Sequence, residues 1–311
     1  MRVAAVDCGT NSVRLLVADL AGGEQRDLHR EMRVVRLGQG VDRTGELAPE
    51  ALARTRAALR DYAAVCAGLG VERTRMVATS ATRDARNRAD FVAMVQDTLG
   101  VAPEVVSGRQ EAELSFLGAT RDLDPAGGPF LVMDIGGGST ELVLGTQRVE
   151  AALSVDVGCV RLTERHLADD PPTPAQIAAA EADVDAALVL IQAAVPVERA
   201  RTAIGLAGSV TTIAAVALNL PSYDAAAIHL SRISAEQVCA TTGRLLAMRR
   251  EERAALPVMH PGRVDVIGGG ALVLRTIVDR LGLAEVLVSE ADILDGIAWS
   301  MSGSHRGGAA S

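Results

Sequence analysis

Two short segments of the chain carry the residue types that bind phosphate and a metal ion. They read DCGTNS from Asp7 and DIGGGSTE from Asp134, and each aspartate ends a short apolar run typical of a strand. Glycine lets the backbone turn tightly, so that amide groups can point at phosphate oxygens. A carboxylate at a strand end is placed to hold a cation, directly or through water. Either segment alone would also fit an ordinary hairpin turn.

The candidate residues of these two phosphate loops fall into two groups. The predicted phosphate-binding residues are Gly9, Thr10, Asn11 and Ser12 in the first loop and Gly136, Gly137, Gly138 and Ser139 in the second. The predicted metal ligands are Asp7, Asp134 and Glu141. Hard oxygen ligands of this kind suit magnesium, so Mg²⁺ is the expected cofactor.

The two loops belong to an internal repeat. Residues 7–18 (DCGTNSVRLLVA) align without gaps on residues 134–145 (DIGGGSTELVLG), with Asp, Gly and Ser at the same positions. A repeat at domain spacing indicates two similar halves. The repetition therefore favours phosphate loops over two unrelated hairpins.

A third glycine-rich segment, GLAGSVTT, spans residues 205–212. The pattern predicts a turn from a strand into a helix, and the N-terminus of a helix favours anions. Gly208 and Ser209 are therefore further candidates for phosphate binding. Close packing of the strand on the helix is the alternative explanation for these small residues.

Composition narrows the class of protein and of ligand. The chain has 311 residues, enough for two domains, and its net charge of −8 argues against a general nucleic-acid binder. Aromatic residues make up only 2%, so the core must be built from aliphatic side chains. All 31 basic residues are arginines, so any anion-binding groove must be an arginine groove.

The sequence predicts a cytoplasmic protein without a membrane span. The N-terminus has no pattern of a signal peptide, and the four cysteines show neither metal nor redox spacing. One uncharged run, residues 202–223, contains glycines, an asparagine and a proline. It is therefore predicted to form a strand, a turn and a helix.

Six segments, in order along nearly the whole chain, resemble the exopolyphosphatase and guanosine-pentaphosphate phosphatase family. They are DCGTNS, ATSATRDARN, SGRQEAELSFLGA, MDIGGGSTELV, DVGCVRLTE and GLAGSVTTIAA. This family is part of the actin, sugar-kinase and heat-shock ATPase superfamily. The resemblance implies an α/β fold with two ribonuclease-H-like domains around an interdomain cleft. The chain is similar to the short, two-domain form of the family.

The resemblance also implies the domain boundaries and the catalytic residues. The first domain is expected to span 1–125 and 290–303, since the last helix returns to it, and the second 126–289; residues 304–311 are expected to be a disordered tail. Glu111 in SGRQEAE matches the catalytic base, although Glu113 is equally plausible from the residues alone. Arg83 matches the arginine that grips the terminal phosphate. Asp134 and Glu141 match the acids that bind metal and position water.

The resemblance therefore predicts a magnesium-dependent phosphoanhydride hydrolase that removes terminal phosphates from inorganic polyphosphate. A guanosine-pentaphosphate 5′-phosphohydrolase would use the same residues on another leaving group. A small-molecule kinase of the superfamily and a non-catalytic sensor of nucleotide or polyphosphate are further alternatives. Neither nucleic acid nor membrane is an expected partner, and a homodimer could lengthen the substrate groove.

Overall fold

The computed structural model describes residues 1–302, so the predicted tail at 304–311 lies outside the described residues. The chain divides into two compact units. One consists of Met1–Ser107 together with the segment that begins at Ile293, and the other is Gly108–Asp292. Each unit is built around its own sheet.

The first unit contains a five-stranded sheet in the order β3-β2-β1-β4-β5. Its strands are β1 (Arg2–Cys8), β2 (Ser12–Ala21), β3 (Glu24–Val34), β4 (Arg73–Ala78) and β5 (Glu104–Val105). The first three form an antiparallel meander, while β4 and β5 continue the sheet in parallel from β1. This order is the ribonuclease-H-like topology.

Four helices complete the part of the first unit that precedes Gly108. They are α1 (Val41–Thr44), α2 (Pro49–Leu69), α3 (Ser80–Asp84) and α4 (Arg88–Leu99). Helix α2 begins at a proline and ends before Gly70, whose φ of 67° is one that glycine adopts without strain. Leu59 and Tyr62 of α2 and Phe91 of α4 pack on one face of the sheet, which forms an aliphatic core with few aromatic rings.

The second unit repeats this topology and extends it. Its strands are β6 (Phe130–Ile135), β7 (Thr140–Gly145), β8 (Val149–Val155), β9 (Thr202–Leu206), β10 (Arg232–Ser234) and β11 (Glu285–Val288). The sheet order is β8-β7-β6-β9-β11-β10, so its first five strands follow the same path as the first sheet. Strand β10 adds an antiparallel edge. The predicted fold class, α/β with two ribonuclease-H-like domains, is confirmed.

Eight helices belong to the second unit, and one further helix closes the first. The eight are α5 (Gly108–Thr120), α6 (Cys159–His166), α7 (Pro174–Ala194), α8 (Ala207–Ala217), α9 (Ala225–Ile228), α10 (Ala235–Ala247), α11 (Arg250–Ala254) and α12 (Ile267–Leu281). Helix α13 (Ile293–Ser300) returns to the first sheet and packs against β1 and β2. Helix α5 packs on β6, β7 and β8, and most of the others cover the opposite face of the second sheet.

The boundary between the units differs from the predicted one. Residues 108–125 were expected in the first domain, but helix α5 belongs to the second unit. The physical reason is its apolar face: Ala112 and Phe116 pack with Phe130 of β6 and Val143 of β7. The loop at 122–129 therefore connects two elements of the same unit.

The uncharged run at 202–223 forms strand β9 and the 11-residue helix α8 rather than one long helix. Among the described residues, no helix is long and apolar enough to cross a membrane.

Candidate active site

The second phosphate loop is the turn between β6 and β7. The amide of Gly136 donates to the carbonyl of Ser139 at 3.0 Å and closes the turn. On the strands that flank it, Asp134 lies opposite Glu141, and Glu141 lies opposite Ser154 of β8. Residues directly opposite each other in antiparallel strands share one face of the sheet. Asp134, Glu141 and Ser154 therefore form a row on a single face.

Helix α5 covers that face and brings Glu111 to the row. The helix begins at Gly108, which lies directly against Ser154. A Cβ at residue 108 would collide with the Ser154 side chain, so only glycine allows this close approach. Two turns further along the helix, the Ser115 hydroxyl donates to Oδ2 of Asp134 at 2.5 Å. Glu111 interacts electrostatically with Glu141. The three acids Glu111, Asp134 and Glu141 thus form one group, which we call the acidic triad.

The acidic triad is buried and strained by like charge. Glu141 is only 1% exposed, and Glu111 and Asp134 are buried as well. Burial raises the pKa of Glu141 well above its usual value, and the neighbouring carboxylates of Glu111 and Asp134 raise it further. Hydrogen bonds from the hydroxyls of Ser154, at 2.6 Å, and Ser139 oppose this shift. A site of this kind favours a bound cation or a proton.

The donor set of the acidic triad fits magnesium. All of its ligating atoms are carboxylate oxygens, with serine hydroxyls next to them, and hard divalent cations prefer oxygen. Within residues 1–302, no three His, Cys, Asp or Glu side chains are arranged to hold a metal by themselves. Mg²⁺ usually keeps several water ligands and binds through one or two carboxylates together with substrate phosphates. Asp134 and Glu141 meet that requirement.

The segment before and at the start of α6 orients the second loop. The carbonyl of Gly136 accepts from the amide of Cys159 at 2.9 Å, and that of Gly137 from the amide of Val160 at 2.8 Å. The carbonyl of Gly138 accepts from Nε of Arg161 at 2.7 Å. In a trans peptide the carbonyl and the following amide point in opposite directions. The amides of residues 137–139 therefore point away from α6, as a phosphate loop requires.

The first phosphate loop has the same backbone plan but different side-chain partners. The amide of Gly9 donates to the carbonyl of Ser12 at 2.9 Å. The hydroxyls of Thr10 and Ser80 share a hydrogen bond at 2.9 Å. Asp7, predicted as a metal ligand, accepts at Oδ2 from Nε and Nη2 of Arg14, at 3.0 and 2.6 Å. This ion pair was not predicted.

Arg83 lies in the first unit, in helix α3. Its Nη1 donates to the carbonyl of Val106 at 3.0 Å, which ties the helix to the end of β5. The role of Arg83 toward the terminal phosphate stays a prediction.

In the third glycine-rich segment, close packing against a neighbouring side chain explains Gly208. The guanidinium of Arg263 lies where a side chain of residue 208 would be, and its Nη1 donates to Oγ1 of Thr212 at 3.0 Å. Ser209 hydrogen-bonds to the thiol of Cys159, next to the second loop. The turn therefore places an arginine near Gly208 and Ser209, whose binding of phosphate stays a prediction.

Two ribonuclease-H-like sheets, each with a glycine-containing turn at its first hairpin, make up a duplicated α/β fold. Residues 16–305 match the model of the Ppx/GppA phosphatase family, and the chain belongs to that family. It is 55% identical to Exopolyphosphatase 2 of Mycobacterium tuberculosis, over 97% of this chain and 99% of the relative.

Solved structures agree in fold. The crystal structure of an exopolyphosphatase-like protein is 43% identical and superposes with a TM-score of 0.94, covering 96% of this chain and 97% of that one. The Ppx/GppA enzyme of Aquifex aeolicus is 30% identical, with a TM-score of 0.81 and coverage of 96% and 99%.

Sequence reasoning missed three supports of the site: Arg14, Ser115 and Ser154. The segment from Gly158 to Arg161 lies within DVGCVRLTE, which contributed to the resemblance, but its contact with the second loop was not predicted. For Arg14 a signal was present, because the gapless alignment of the two loops places it at the position of Glu141. Ser115 lies within the segment SGRQEAELSFLGA and Ser154 lies just before DVGCVRLTE, but neither segment indicates that its serine contacts a carboxylate. Only the sheet register and the packing of α5 bring them to the carboxylates.

Proposed function

We propose that this protein is an exopolyphosphatase that releases the terminal phosphate of inorganic polyphosphate in a magnesium-dependent reaction. The observation that carries the proposal is the acidic triad on the second phosphate loop. A candidate base, Glu111, lies beside two carboxylates that suit a metal, next to amides that suit a phosphate. The name of the Mycobacterium tuberculosis relative, which matches nearly the whole chain, supports the same substrate class.

The proposed reaction needs no covalent intermediate. The amides of Gly137, Gly138 and Ser139 hold the terminal phosphate, and Glu111 accepts a proton from the attacking water. The water oxygen forms the new bond to phosphorus, and the bond from phosphorus to the bridging oxygen breaks. The shortened polyphosphate leaves with the bridging oxygen. Arg83 is assigned to the negative charge that develops on the terminal phosphate.

Asp134 and Glu141 are the proposed holders of Mg²⁺. When bound, the ion would neutralise phosphate charge and polarise the phosphoryl group. The hydroxyls of Ser115 and Ser154 fix the two carboxylates in the orientation that they have in the structure. All four cysteines are free thiols, which supports a reducing compartment and hence a cytoplasmic enzyme.

The test is phosphate release from long polyphosphate, short polyphosphate and guanosine pentaphosphate, each with MgCl2. The variant Glu111→Gln keeps the shape of the side chain and removes the base, so polyphosphate hydrolysis should fall by about 10²- to 10⁴-fold. Glu113→Gln is the matched control: it lies on the same helix, about half exposed, in an ion pair with Arg109 at 3.1 Å. This control should stay within about twofold of wild type.

Each outcome decides between the candidates. Release from polyphosphate that is lost in Glu111→Gln and retained in Glu113→Gln supports the proposal, and the length series defines the preferred substrate. Release from guanosine pentaphosphate alone would assign the protein to nucleotide hydrolysis. Loss of polyphosphate hydrolysis in Glu113→Gln, with activity retained in Glu111→Gln, would assign the catalytic base to Glu113 instead of Glu111. No release from any of the three would refute a hydrolase for these substrates.

A further inference from the structure

We propose that Arg14 takes, in the first phosphate loop, the place that a divalent cation takes in the second. Asp7 is then not a metal ligand, and the chain binds one divalent ion, at the second loop. The inference rests on the metal site of the proposed function. It replaces the sequence-based assignment of Asp7 to the metal.

The two loops differ in the residue that lies opposite the aspartate on the neighbouring strand. In the first sheet Asp7 lies opposite Arg14, and in the second Asp134 lies opposite Glu141. The gapless repeat aligns Asp7 with Asp134 and Arg14 with Glu141. The backbone is thus repeated, while the residue opposite the aspartate changes from a cation to an anion.

The contacts show what this change does to each aspartate. Oδ2 of Asp7 accepts two hydrogen bonds from Arg14, and the side chains of Asp7 and Arg14 are 7% and 21% exposed. A guanidinium is permanently charged, so it neutralises Asp7 at every pH at which the protein folds. A divalent ion approaching Asp7 would have to displace this fixed charge or bind beside it, and both are unfavourable.

The second loop has the opposite requirement. Its cross-strand pair is two carboxylates, and Glu111 adds a third. Buried like charges of this kind are costly unless a cation is present.

The helices that cover the two faces repeat the contrast. In the first unit α13 carries the buried Asp295, which accepts from Nη2 of Arg30 on β3 at 2.5 Å. In the second unit α5 carries Glu111, which faces Glu141. The first unit therefore supplies an arginine to each of these two buried acids from its own sheet, whereas the acids of the triad are neighbours of one another.

The experiment measures the binding of Mn²⁺, a probe for the magnesium site, by electron paramagnetic resonance without substrate. Wild type should bind one Mn²⁺ per chain. The double variant Asp7→Asn/Arg14→Gln replaces the ion pair by a neutral pair of similar shape and should keep that affinity within about threefold. Asp134→Asn should weaken it by at least about tenfold. Arg14→Glu recreates the Asp/Glu pair of the second loop and should bind a second Mn²⁺.

Circular dichroism melts identify the variants that are folded. The proposal is refuted if the neutral pair weakens Mn²⁺ as strongly as Asp134→Asn does, or if wild type binds no Mn²⁺. It is equally refuted if Arg14→Glu is folded and still binds a single ion. Should Arg14→Glu fail to fold, the neutral pair alone decides. Because no substrate is present, these results do not depend on whether polyphosphate is the substrate, which the phosphate-release assay decides separately.

Discussion

The first and second phosphate loops share a backbone but not a charge. In both, a glycine amide closes the turn by donating to a serine carbonyl, at 2.9 Å in one and 3.0 Å in the other. Asp7 faces an arginine across its hairpin, while Asp134 faces a glutamate. The fold therefore supplies the shape of a phosphate loop twice. The residue opposite the aspartate decides whether that loop is neutral by itself or needs a cation.

The largest expected effect comes from removing one charge of the acidic triad. Glu141→Gln should lower phosphate release by at least about 100-fold, because it removes a metal ligand. The same change should stabilise the metal-free protein, since it removes a buried carboxylate from two neighbours of like charge. We expect a gain of about 1–2 kcal/mol in the free energy of unfolding. Each kcal/mol raises Tm by about 2–4 °C.

The measurements are phosphate release with MgCl2 and thermal unfolding in EDTA. A useful control is Glu150→Gln on the neighbouring strand β8, whose side chain is 35% exposed and pairs with Arg199. It should change both quantities little. A lower Tm for Glu141→Gln in EDTA would contradict the view that the triad is strained without a metal.

The equivalent change in the first loop should have the opposite sign on stability. Arg14→Gln leaves the buried carboxylate of Asp7 without its guanidinium. Breaking a buried ion pair on one side costs up to about 3–5 kcal/mol. Arg14 is partly exposed, so about 2–3 kcal/mol is expected, measured as a lower denaturant midpoint.

Arg26→Gln is the control for this loss. Arg26 pairs with Asp19 on the same sheet, but its side chain is 74% exposed. A surface pair of this kind contributes about 0–1 kcal/mol. If Arg14→Gln were no more harmful than Arg26→Gln, the ion pair at Asp7 would not be what neutralises the first loop.

Much of the fold follows from local signals in the sequence. Apolar spacing that starts at a proline predicts a helix over 49–69, which ends before Gly70, and another over about 174–194; α2 and α7 agree with both. The repeat of the loop motif predicted two similar halves, and the sheets have the same order over five strands. Strands β1 and β6 were also located by the aspartates near their ends.

Other parts depend on contacts that a linear pattern does not contain. The apolar run 34–37 predicted a strand, but β3 spans Glu24–Val34 and overlaps that run only at Val34. The strand is rich in charge, because an edge strand can place charged side chains in water. Helix α5 was placed in the wrong unit, since its motif does not say which sheet its apolar face will meet. The pairing of Asp7 with Arg14 needs the register of β1 on β2.

A smaller effect on activity is expected from replacing the glycines that pack against each loop. A Cβ at Gly158 would lie 2.6 Å from the carbonyl carbon and oxygen of Gly137, which are backbone atoms of the second loop. A Cβ at Gly38 would meet the methyl group of Thr10 in the first loop. Backbone yields less readily than a side-chain methyl, so Gly158→Ala should distort its loop more than Gly38→Ala.

We expect Gly158→Ala to lower kcat/KM by about tenfold or more, equivalent to about 1.4 kcal/mol. Gly38→Ala should act mainly on stability. Phosphate release and thermal melts of both variants measure the two effects. Gly243→Ala, in helix α10 with open space around it, is the control: it should leave kcat/KM unchanged and raise the stability by about 0.5–1 kcal/mol. Equal loss of activity in Gly38→Ala and Gly158→Ala would mean that the two loops are equally sensitive to displacement.

The smallest expected effect is a dependence of stability on pH that arises only in the second loop. The pKa of Glu141 is raised in the folded protein, above about 4.3 for an unfolded chain. Between these two values the folded state holds the proton more tightly, so the stability of the metal-free protein falls as pH rises. Glu141→Gln has no such proton, and its advantage over wild type in EDTA should grow from near zero at about pH 4.5.

The difference in Tm between wild type and Glu141→Gln should therefore widen as the pH rises from 4.5, up to the value that corresponds to the gain of about 1–2 kcal/mol. Thermal melts of both proteins from pH 4.5 to 8 measure it. Saturating MgCl2 should reverse the trend for wild type, because a bound cation favours the ionised carboxylates. A constant difference across this range would show that Glu141 ionises as freely in the folded protein as in the unfolded chain. The triad would then be no more in need of a cation than the first loop, where Arg14 already supplies one.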